Sequence, residues 1–419
     1  MYKLRDYQAE AVDIAVKKLR SNSKPFIVMA ATGAGKSLII ADTCHKIDEP
    51  ILILQPSKEI LEQNYAKLIS YDPMIDAGIY SASAGRREIR KFTFATIGSI
   101  YKQPENFKHF KYAIVDECHG LNSKNADGML TSFFKAIECD HIMGLTATPY
   151  RIDTLWTREK NGDLTSTASL KMINRISRTP FFKSIAYKIE TAELQAQGYL
   201  APVRYYAESK DWSSLRINST GANFTVDSSE KFGGRIIKRI VEAVTYADGH
   251  HERSLTFCNS IGQAEEALEH LRGRGTAISL VTGETPKKER EELIAKFKSG
   301  EIPHMLNMGV FTTGFDVPIL DCVILARPTM SLALYYQMVG RGIRTDPDNP
   351  DKVLHLYDLV GIVERLGRVE TIRVQREAHG FRDEVWTEAG RMDNYPLYSF
   401  TVTPKDKKAG KGRYATNQK

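Results

Sequence analysis

Little in this chain of 419 residues would staple it covalently or hold it in a membrane. Its five cysteines (Cys44, Cys118, Cys139, Cys258 and Cys322) are odd in number, scattered and without a C-x-x-C pair. That spacing argues against a disulfide framework and a zinc site, leaves packing or surface thiols, and fits a reducing cytoplasm. The longest apolar runs, such as Phe26 to Ala31 and Ile51 to Leu54, fall far short of the ~20 residues a membrane-spanning helix needs. The start, Met1-Tyr2-Lys3-Leu4-Arg5-Asp6, has no apolar stretch of signal-peptide length, so a cytoplasmic location is expected. The ten histidines show no metal-ligand spacing, and His250-His251 reads as a solvated turn. No short-period repeat is present, which excludes solenoids and propellers.

Charge of one sign is also scarce: 58 Lys+Arg against 51 Asp+Glu give +7. The segment from Pro404 to Lys419 alone contributes +5, leaving +2 for the rest. Whole-chain basicity is therefore a poor argument for a nucleic-acid partner, and any positive groove has to be local. The low hydrophobicity of this tail predicts disorder and an auxiliary backbone contact. With 42% hydrophobic and 26% charged residues the remainder is ordinary globular chain, long enough for two or three domains.

Short β-branched runs alternate with amphipathic helical segments, the pattern of βαβ units around parallel sheets. Strands are predicted at Pro25 to Ala30, Ile51 to Gln55, Phe92 to Thr96, Tyr112 to Asp116 and His141 to Thr146, with helices at Ser57 to Ser70 and Ser123 to Glu138. From about Tyr150 to His250 the pattern degrades into a connector region. A second alternation follows: strands at Ser254 to Cys258, Ala277 to Thr282, His304 to Met308, Cys322 to Ala326 and Val353 to Leu359, with helices at Ile261 to Leu271 and Pro286 to Ser299. The expected fold is α/β with two tandem units. Their boundaries are placed at 1–200, a connector and lead-in helix at 201–248, a second unit at 249–365 and an extension at 366–419.

Chemistry enters at Ala30-Ala31-Thr32-Gly33-Ala34-Gly35-Lys36-Ser37, which follows a predicted strand and opens a predicted helix. This is a P-loop, with Ala30 where the first glycine usually stands. Backbone N–H groups of Thr32, Gly33, Ala34 and Gly35 wrap a polyphosphate, Lys36 reaches its outer phosphates and the Ser37 hydroxyl can ligate Mg²⁺. Downstream, Asp116 and Glu117 end an apolar strand expected beside the P-loop. Alone, such a pair fits a solvated turn. After a P-loop it fits a carboxylate that holds Mg²⁺ (Asp116) and one that orients or deprotonates the attacking water (Glu117).

Asp116-Glu117-Cys118-His119 resembles the D-E-x-H box of superfamily 2 helicases, and further segments resemble that family's motifs in order. Arg5-Asp6-Tyr7-Gln8 is similar to the Q-motif, which implies adenine recognition through Arg5 and Gln8. Gln55-Pro56-Ser57-Lys58-Glu59 resembles motif Ia and Ala95-Thr96-Ile97-Gly98-Ser99 motif Ib. Gly144-Leu145-Thr146-Ala147-Thr148-Pro149 resembles motif III, Phe257-Cys258-Asn259-Ser260 motif IV, the run from Val310 to Pro318 motif V, and Gln337 to Arg344 motif VI. The resemblance implies two RecA-like domains with ATP and Mg²⁺ between them, and domain closure that brings Arg344 as an arginine finger, Arg341 as a second γ-phosphate contact and Gln337 as an aid to the attacking water. It also implies nucleotide contacts at Gly314 and Asp316, and nucleic-acid backbone contacts at Pro56, Ser57, Thr96, Ser99, Ser260, Thr312 and Thr313. Taken singly, each of these hydroxyls fits a turn or cap role equally well.

The segment from Tyr187 to Pro202 reads as a helix ended by Gly and Pro that links the two domains. Tyr205, Tyr206, Trp212 and Phe224 are candidates for base stacking, with core packing the alternative. The wording of motifs V and VI is similar to RadD-like DNA-repair ATPases and to the translocase part of type I and type III restriction enzymes. The expected activity is an ATP-dependent helicase or translocase acting on DNA without sequence specificity. Its alternatives are the motor subunit of a restriction or defence complex, and an ATP-gated nucleic-acid clamp. RNA remains open as a partner, because backbone phosphates do not distinguish the two sugars.

Overall fold

The computed structural model describes residues 3–21, 24–120, 128–158, 164–176, 180–216, 224–311, 317–376, 383–393 and 396–402. They fall into two compact units, one drawn from Met1–Arg151 and Lys171–Glu193, the other from Ile152–Leu170 and Leu194–Lys419.

In the first unit the chain runs α1 (Asp6–Ser21), β1 (Phe26–Ala30), α2 (Lys36–Ile47), β2 (Ile51–Leu54), α3 (Lys58–Tyr71), β3 (Ala77–Ser81), β4 (Arg86–Arg87), β5 (Phe92–Ala95), the single turn α4 (Ile97–Ile100), β6 (Tyr112–Asp116), α5 (Met129–Ala136) and β7 (His141–Thr146). Strands β8 (Tyr150–Arg158) and β9 (Leu164–Met172) follow, and the chain returns to the first unit as β10 (Ser184–Ile189). The first sheet has eight strands in the order β10-β1-β7-β6-β2-β5-β3-β4, all parallel except β4. Its central strands are buried on both faces, which is why Phe26–Ala30 and Ile51–Leu54 are continuous apolar runs rather than alternating ones. Helix α1 buries Tyr7, Ala11, Val12, Ala15 and Leu19, a stripe at helical spacing.

The chain re-enters the second unit within α6 (Thr191–Ala196), whose first residues belong to the first unit. It continues with β11 (Val203–Ala207), α7 (Val226–Gly234), α8 (Ile237–Asp248), β12 (Ser254–Phe257), α9 (Ile261–Arg272), β13 (Ile278–Thr282), α10 (Lys287–Ser299), β14 (His304–Met308), β15 (Cys322–Leu325), α11 (Leu332–Val339) and β16 (Leu354–Asp358). Its parallel six-stranded sheet has the order β11-β16-β15-β12-β14-β13. After α12 (Ile362–Leu366) come β17 (Arg373–Arg376), β18 (Asp383–Thr387) and β19 (Gly390–Arg391) in a small antiparallel sheet. Finally, β20 (Pro396–Val402) joins β9 and β8.

Several expectations need correction. The stretch 201–248, expected as a connector and lead-in helix, also contributes β11 to the second sheet, while its helix α8 covers the core through Ile240, Val241 and Val244. Tyr187 is not helical but lies in β10, an end strand of the first sheet; only Thr191–Ala196 forms the helix. His251 is no solvated residue: its ring is 4% exposed and sits between Asp321 Oδ2 at 3.2 Å and Tyr357 Oη at 3.1 Å. Trp212 and Phe224 are buried against one another edge-to-face, and Tyr205 donates its hydroxyl to Glu370, so packing accounts for these three candidates. Tyr206 alone is exposed, stacked on Tyr357 at 4.7 Å. All five cysteines are buried and free. The tail from Pro404 lies outside the described residues.

Candidate active site

At the end of β1 the chain enters the Gly-rich turn that leads into α2. Gly33 and Gly35 have φ of +86° and +76°, a region L side chains rarely occupy. Gly35 is doubly required, because a Cβ there would stand 2.4 Å from Gln8 Nε2. The loop is held from both sides. Ala31 N donates to Ile189 O of β10 at 3.2 Å, while Gln8 Nε2 and Tyr7 Oη donate to Ala34 O at 2.9 and 3.0 Å. Arg5 N in turn donates to Gln8 Oε1 at 3.0 Å. Gln8 thus braces the Gly-rich loop through its amide nitrogen, while its amide oxygen is held by Arg5 N. Tyr7 does the same from inside the Arg5-Asp6-Tyr7-Gln8 segment, a role the motif did not assign it.

Opposite the loop, β6 ends in Asp116 and Glu117. The two strands are not neighbours: β7 lies between β1 and β6, which puts their axes roughly 10 Å apart. Lys36 is long enough to bridge this gap, with its Nζ 3.4 Å from Glu117 Oε1 in a partly sheltered pair. Glu117, just past the end of β6, has φ +44°, uncommon for a residue with a Cβ and a place where backbone strain is stored. Asp116 is 5% exposed and accepts from Glu117 N at 2.9 Å. Burial, with the Glu117 charge adding to it, pushes its carboxyl up to about 7, while Lys36 and the hydrogen bonds from Glu117 N and Asn64 oppose the rise.

Sequence reasoning missed Asn64. From α3 its Oδ1 accepts the Ser37 hydroxyl at 2.6 Å, and its Nδ2 donates to Asp116 Oδ2 at 2.9 Å and to Gln55 Oε1 at 3.1 Å. Its only sequence signal is position: a polar residue between Ile60 and Leu68 on the buried stripe of α3. The D-E-x-H turn is tied to motif III as well. His119 Nδ1 lies 2.8 Å from Thr146 Oγ1, which also accepts from Thr148 N at 3.0 Å, and burial pushes the His119 imidazole below its ordinary value.

Asp116 and Glu117 also line a cavity of about 420 Å³ together with Pro56, Ser57, Lys58 and Thr96. Three of the predicted hydroxyls have local work here. Ser57 Oγ caps α3 by accepting from Ile60 N. Ser99 Oγ accepts from Ala82 N at 2.9 Å and lies 2.8 Å from Thr96 Oγ1. Beside the cavity, the β3–β4 hairpin carries Ser83, Arg86 and Arg87.

In the second unit, Ser260 Oγ caps α9 by accepting from Gln263 N at 3.2 Å. Gln337 lies half-buried on α11, and the turn after that helix carries Arg341, 7% exposed, and the half-buried Arg344. Ala201 N donates to Ile343 O at 2.8 Å and Lys352 Nζ to Arg344 O at 2.8 Å, so the backbone of this turn is fixed on both sides. Thr312, Thr313, Gly314 and Asp316 lie outside the described residues.

Residues 1–151 match the family described as the type III restriction enzyme res subunit, and residues 235–346 match the helicase conserved C-terminal domain. The putative ATP-dependent helicase IRC3 of Saccharomyces cerevisiae is 27% identical over 382 residues, covering 85% of this chain and 51% of that protein. The DNA 3'-5' translocase XPB2 of Sulfurisphaera tokodaii is 25% identical, covering 85% and 81%. This chain therefore spans about half the length of the yeast relative. In fold it is similar to a fragment of a putative HsdR subunit of a type I restriction enzyme from Vibrio vulnificus, with a TM-score of 0.63 at 19% identity over 88% of this chain and 67% of that one. P-loop, D-E-x-H turn and motif VI segment occur in the family's order on two mostly parallel sheets, and both matched regions bear family signatures: the chain belongs to superfamily 2, the helicase-type P-loop ATPases.

Proposed function

We propose that this protein is a nucleic-acid-stimulated ATPase that translocates along or unwinds DNA. One observation carries the reading. A single cavity is lined on one side by the carboxylates of the ATP site, Asp116 and Glu117, and on another by Pro56, Ser57, Lys58 and Thr96 of the strand-contact segments. Phosphate chemistry and backbone contact therefore share a wall, within reach of side-chain movements.

The donor set suits a magnesium–nucleotide complex. Ser37 and Asp116 offer hard oxygens on either side of the Asn64 amide, and the α2 N-terminus with the two positive-φ glycines presents N–H groups to phosphate oxygens. Ser37 and Asp116 would hold the ion, which when bound neutralises charge on the phosphates. Lys36 binds the outer phosphates, exchanging its contact with Glu117 for them. Glu117, released from that contact, orients the attacking water and takes up its proton. By the family resemblance, Arg344 and Arg341 are the residues to stabilise the charge that builds on the γ-phosphate, and Gln337 the one to help hold the water. Small hydroxyls and backbone groups of motifs Ia and Ib contact phosphates, so binding positions the strand without reading bases. The DNA translocase name of the archaeal relative favours DNA over RNA.

The decisive assay is ATP hydrolysis with and without single- and double-stranded DNA and RNA; absence of stimulation by any of them overturns the proposal. Lys36→Ala should abolish turnover with the fold intact. A second reading, motor of a restriction or defence complex, is favoured by the match of residues 1–151. It expects a stable partner in pull-downs from the host and DNA cleavage only by the complex.

A further inference from the structure

Asn64 occupies a position that the proposed chemistry leaves unexplained. It is 5% exposed, and every strong valence of its amide is directed: the carbonyl accepts from Ser37, and one nitrogen donates to both Asp116 and Gln55. Rotating the amide by a half-turn would set its carbonyl against the Asp116 carboxylate, so the network has one orientation. Gln55 stands at the other end, 3% exposed, its Oε1 taken by Asn64 and its Nε2 buried without a hydrogen-bond partner. An unmet buried donor is costly, so such a group changes partner readily when one is offered. Its backbone is placed just as pointedly. Gln55 N donates to Ala95 O at 2.9 Å, joining the starts of the two strand-contact segments, and Gln55 itself lines the cavity with Pro56, Ser57 and Thr96. Asn64 also lies on the helix that Ser57 caps.

We propose that Asn64 and Gln55 form the relay that couples nucleotide occupancy to nucleic-acid binding within the first unit. The inference rests on the ATPase reading above. Ser37 and Asp116 are the groups a magnesium–nucleotide complex engages, and both are held by Asn64 in the present arrangement. Once they are engaged elsewhere, two of the three bonds that orient the Asn64 amide are in competition. Gln55, which depends on that amide for its one side-chain bond, is then free to turn its carboxamide toward the cavity, where phosphate oxygens of a bound strand are acceptors for Nε2. In the reverse direction, a strand that captures Gln55 removes one restraint on Asn64 and thereby on Ser37 and Asp116. Coupling of this kind is reciprocal by thermodynamic necessity. Asn64 and Gln55 are positioning residues, since neither has to touch the reacting phosphate.

The test uses the full chain and fluorescence anisotropy of a labelled DNA oligonucleotide, single- and double-stranded, without nucleotide and with a non-hydrolysable ATP analogue plus Mg²⁺. The ratio of the two dissociation constants is the coupling factor. Asn64→Asp keeps the size and the Ser37 acceptor but sets a carboxylate against Asp116; Gln55→Ala removes the far end and leaves the Ser37 and Asp116 bonds in place. Both should move the coupling factor toward one by at least about fivefold, and thermal melting reports any loss of fold separately. A purely structural role would shift stability and both affinities together, without changing their ratio. Coupling factors within twofold of the parent in both variants overturn the relay. A parent protein that binds DNA but shows no coupling also overturns it while sparing the ATPase reading; a parent that binds no nucleic acid and is not stimulated by any overturns both.

Discussion

Gly144, in the middle of β7, offers a quantitative check on how tightly the site is built into the core. A Cβ at this position would lie 2.6 Å from Phe182 Cε1 and 2.8 Å from Cys118 Sγ. Carbon atoms prefer about 3.5–4.0 Å, so each neighbour has to retreat by roughly 1 Å. Both are 1% exposed and have no room to do so. Overpacking of this size costs about 1–3 kcal/mol, offset by about 0.4–1 kcal/mol because alanine restricts the unfolded chain. Gly144→Ala should therefore destabilise the first unit by about 1.3 kcal/mol, the midpoint of the two ranges, and by at most about 2.6 kcal/mol. The loss has a functional side, because Cys118 follows Glu117, whose backbone is already at φ +44°, and pushing the thiol moves the carboxylate. Urea unfolding of the first unit's transition, with ATPase rates on the same samples, measures both effects. Phe182→Leu makes room for the new methyl group. The double variant should be more stable than the sum of the two losses by about 0.5–2 kcal/mol. Strict additivity, or a Gly144→Ala protein as stable as its parent, would refute the packing argument.

Other expectations follow from the same geometry. Glu117→Gln should lower the turnover rate at least about 100-fold with the melting temperature retained, as read by phosphate release. Arg344→Ala should lower it by about 10³-fold or more with nucleotide affinity little changed, if that residue is the finger; a mild effect in single-turnover hydrolysis removes it from that role. Arg86 and Arg87 are exposed and make no ion pair with a carboxylate among the described residues. Replacing both with alanine should reduce the salt slope of duplex binding by about 1–2, checked by titrations at several salt concentrations. Burial holds the imidazole of His304 below its ordinary value while it faces Asp248, Ser254, Asp321 and Arg253. The unfolded chain takes up that proton first, so stability present above about pH 6.5 declines as pH falls below it. Urea midpoints between pH 7.5 and 5.5 should show a shallower decline in His304→Asn.

The strands that sequence made legible are those buried on both faces. Ile51–Leu54 and Ala113–Val115 are uninterrupted apolar runs because they lie in interior strands whose side chains are buried on both faces. Strand β10 escaped notice because Ser184–Ile189 is a half-buried end strand whose partner, β1, lies far back in the chain. The P-loop and the D-E-x-H turn were legible because phosphate binding demands particular residues at particular spacings. Asn64 was not, since its three partners come from β2, β6 and the P-loop end of α2 and meet only in the folded unit. His251 misled for a related reason: a histidine pair before a strand looks solvated until Asp321 and Tyr357 arrive from other elements.

The strand order of the first sheet also governs when the nucleotide loop becomes usable as the chain is made. β1 is made before both of its neighbours, β7 and β10, and Ala31 N donates to Ile189 O. At about 5–20 residues per second the ribosome leaves β1 waiting on the order of ten seconds for β7 and several more for β10. Through that interval Phe26–Ala30, five apolar residues with open edges, is a template for mispairing. A recombinant fragment cut at residue 151, where the first family match stops, would make the exposure permanent by omitting β10. The Gly-rich loop after β1 is thus synthesised well before the strands that fix it, and a fragment meant to keep it has to extend past Ile189.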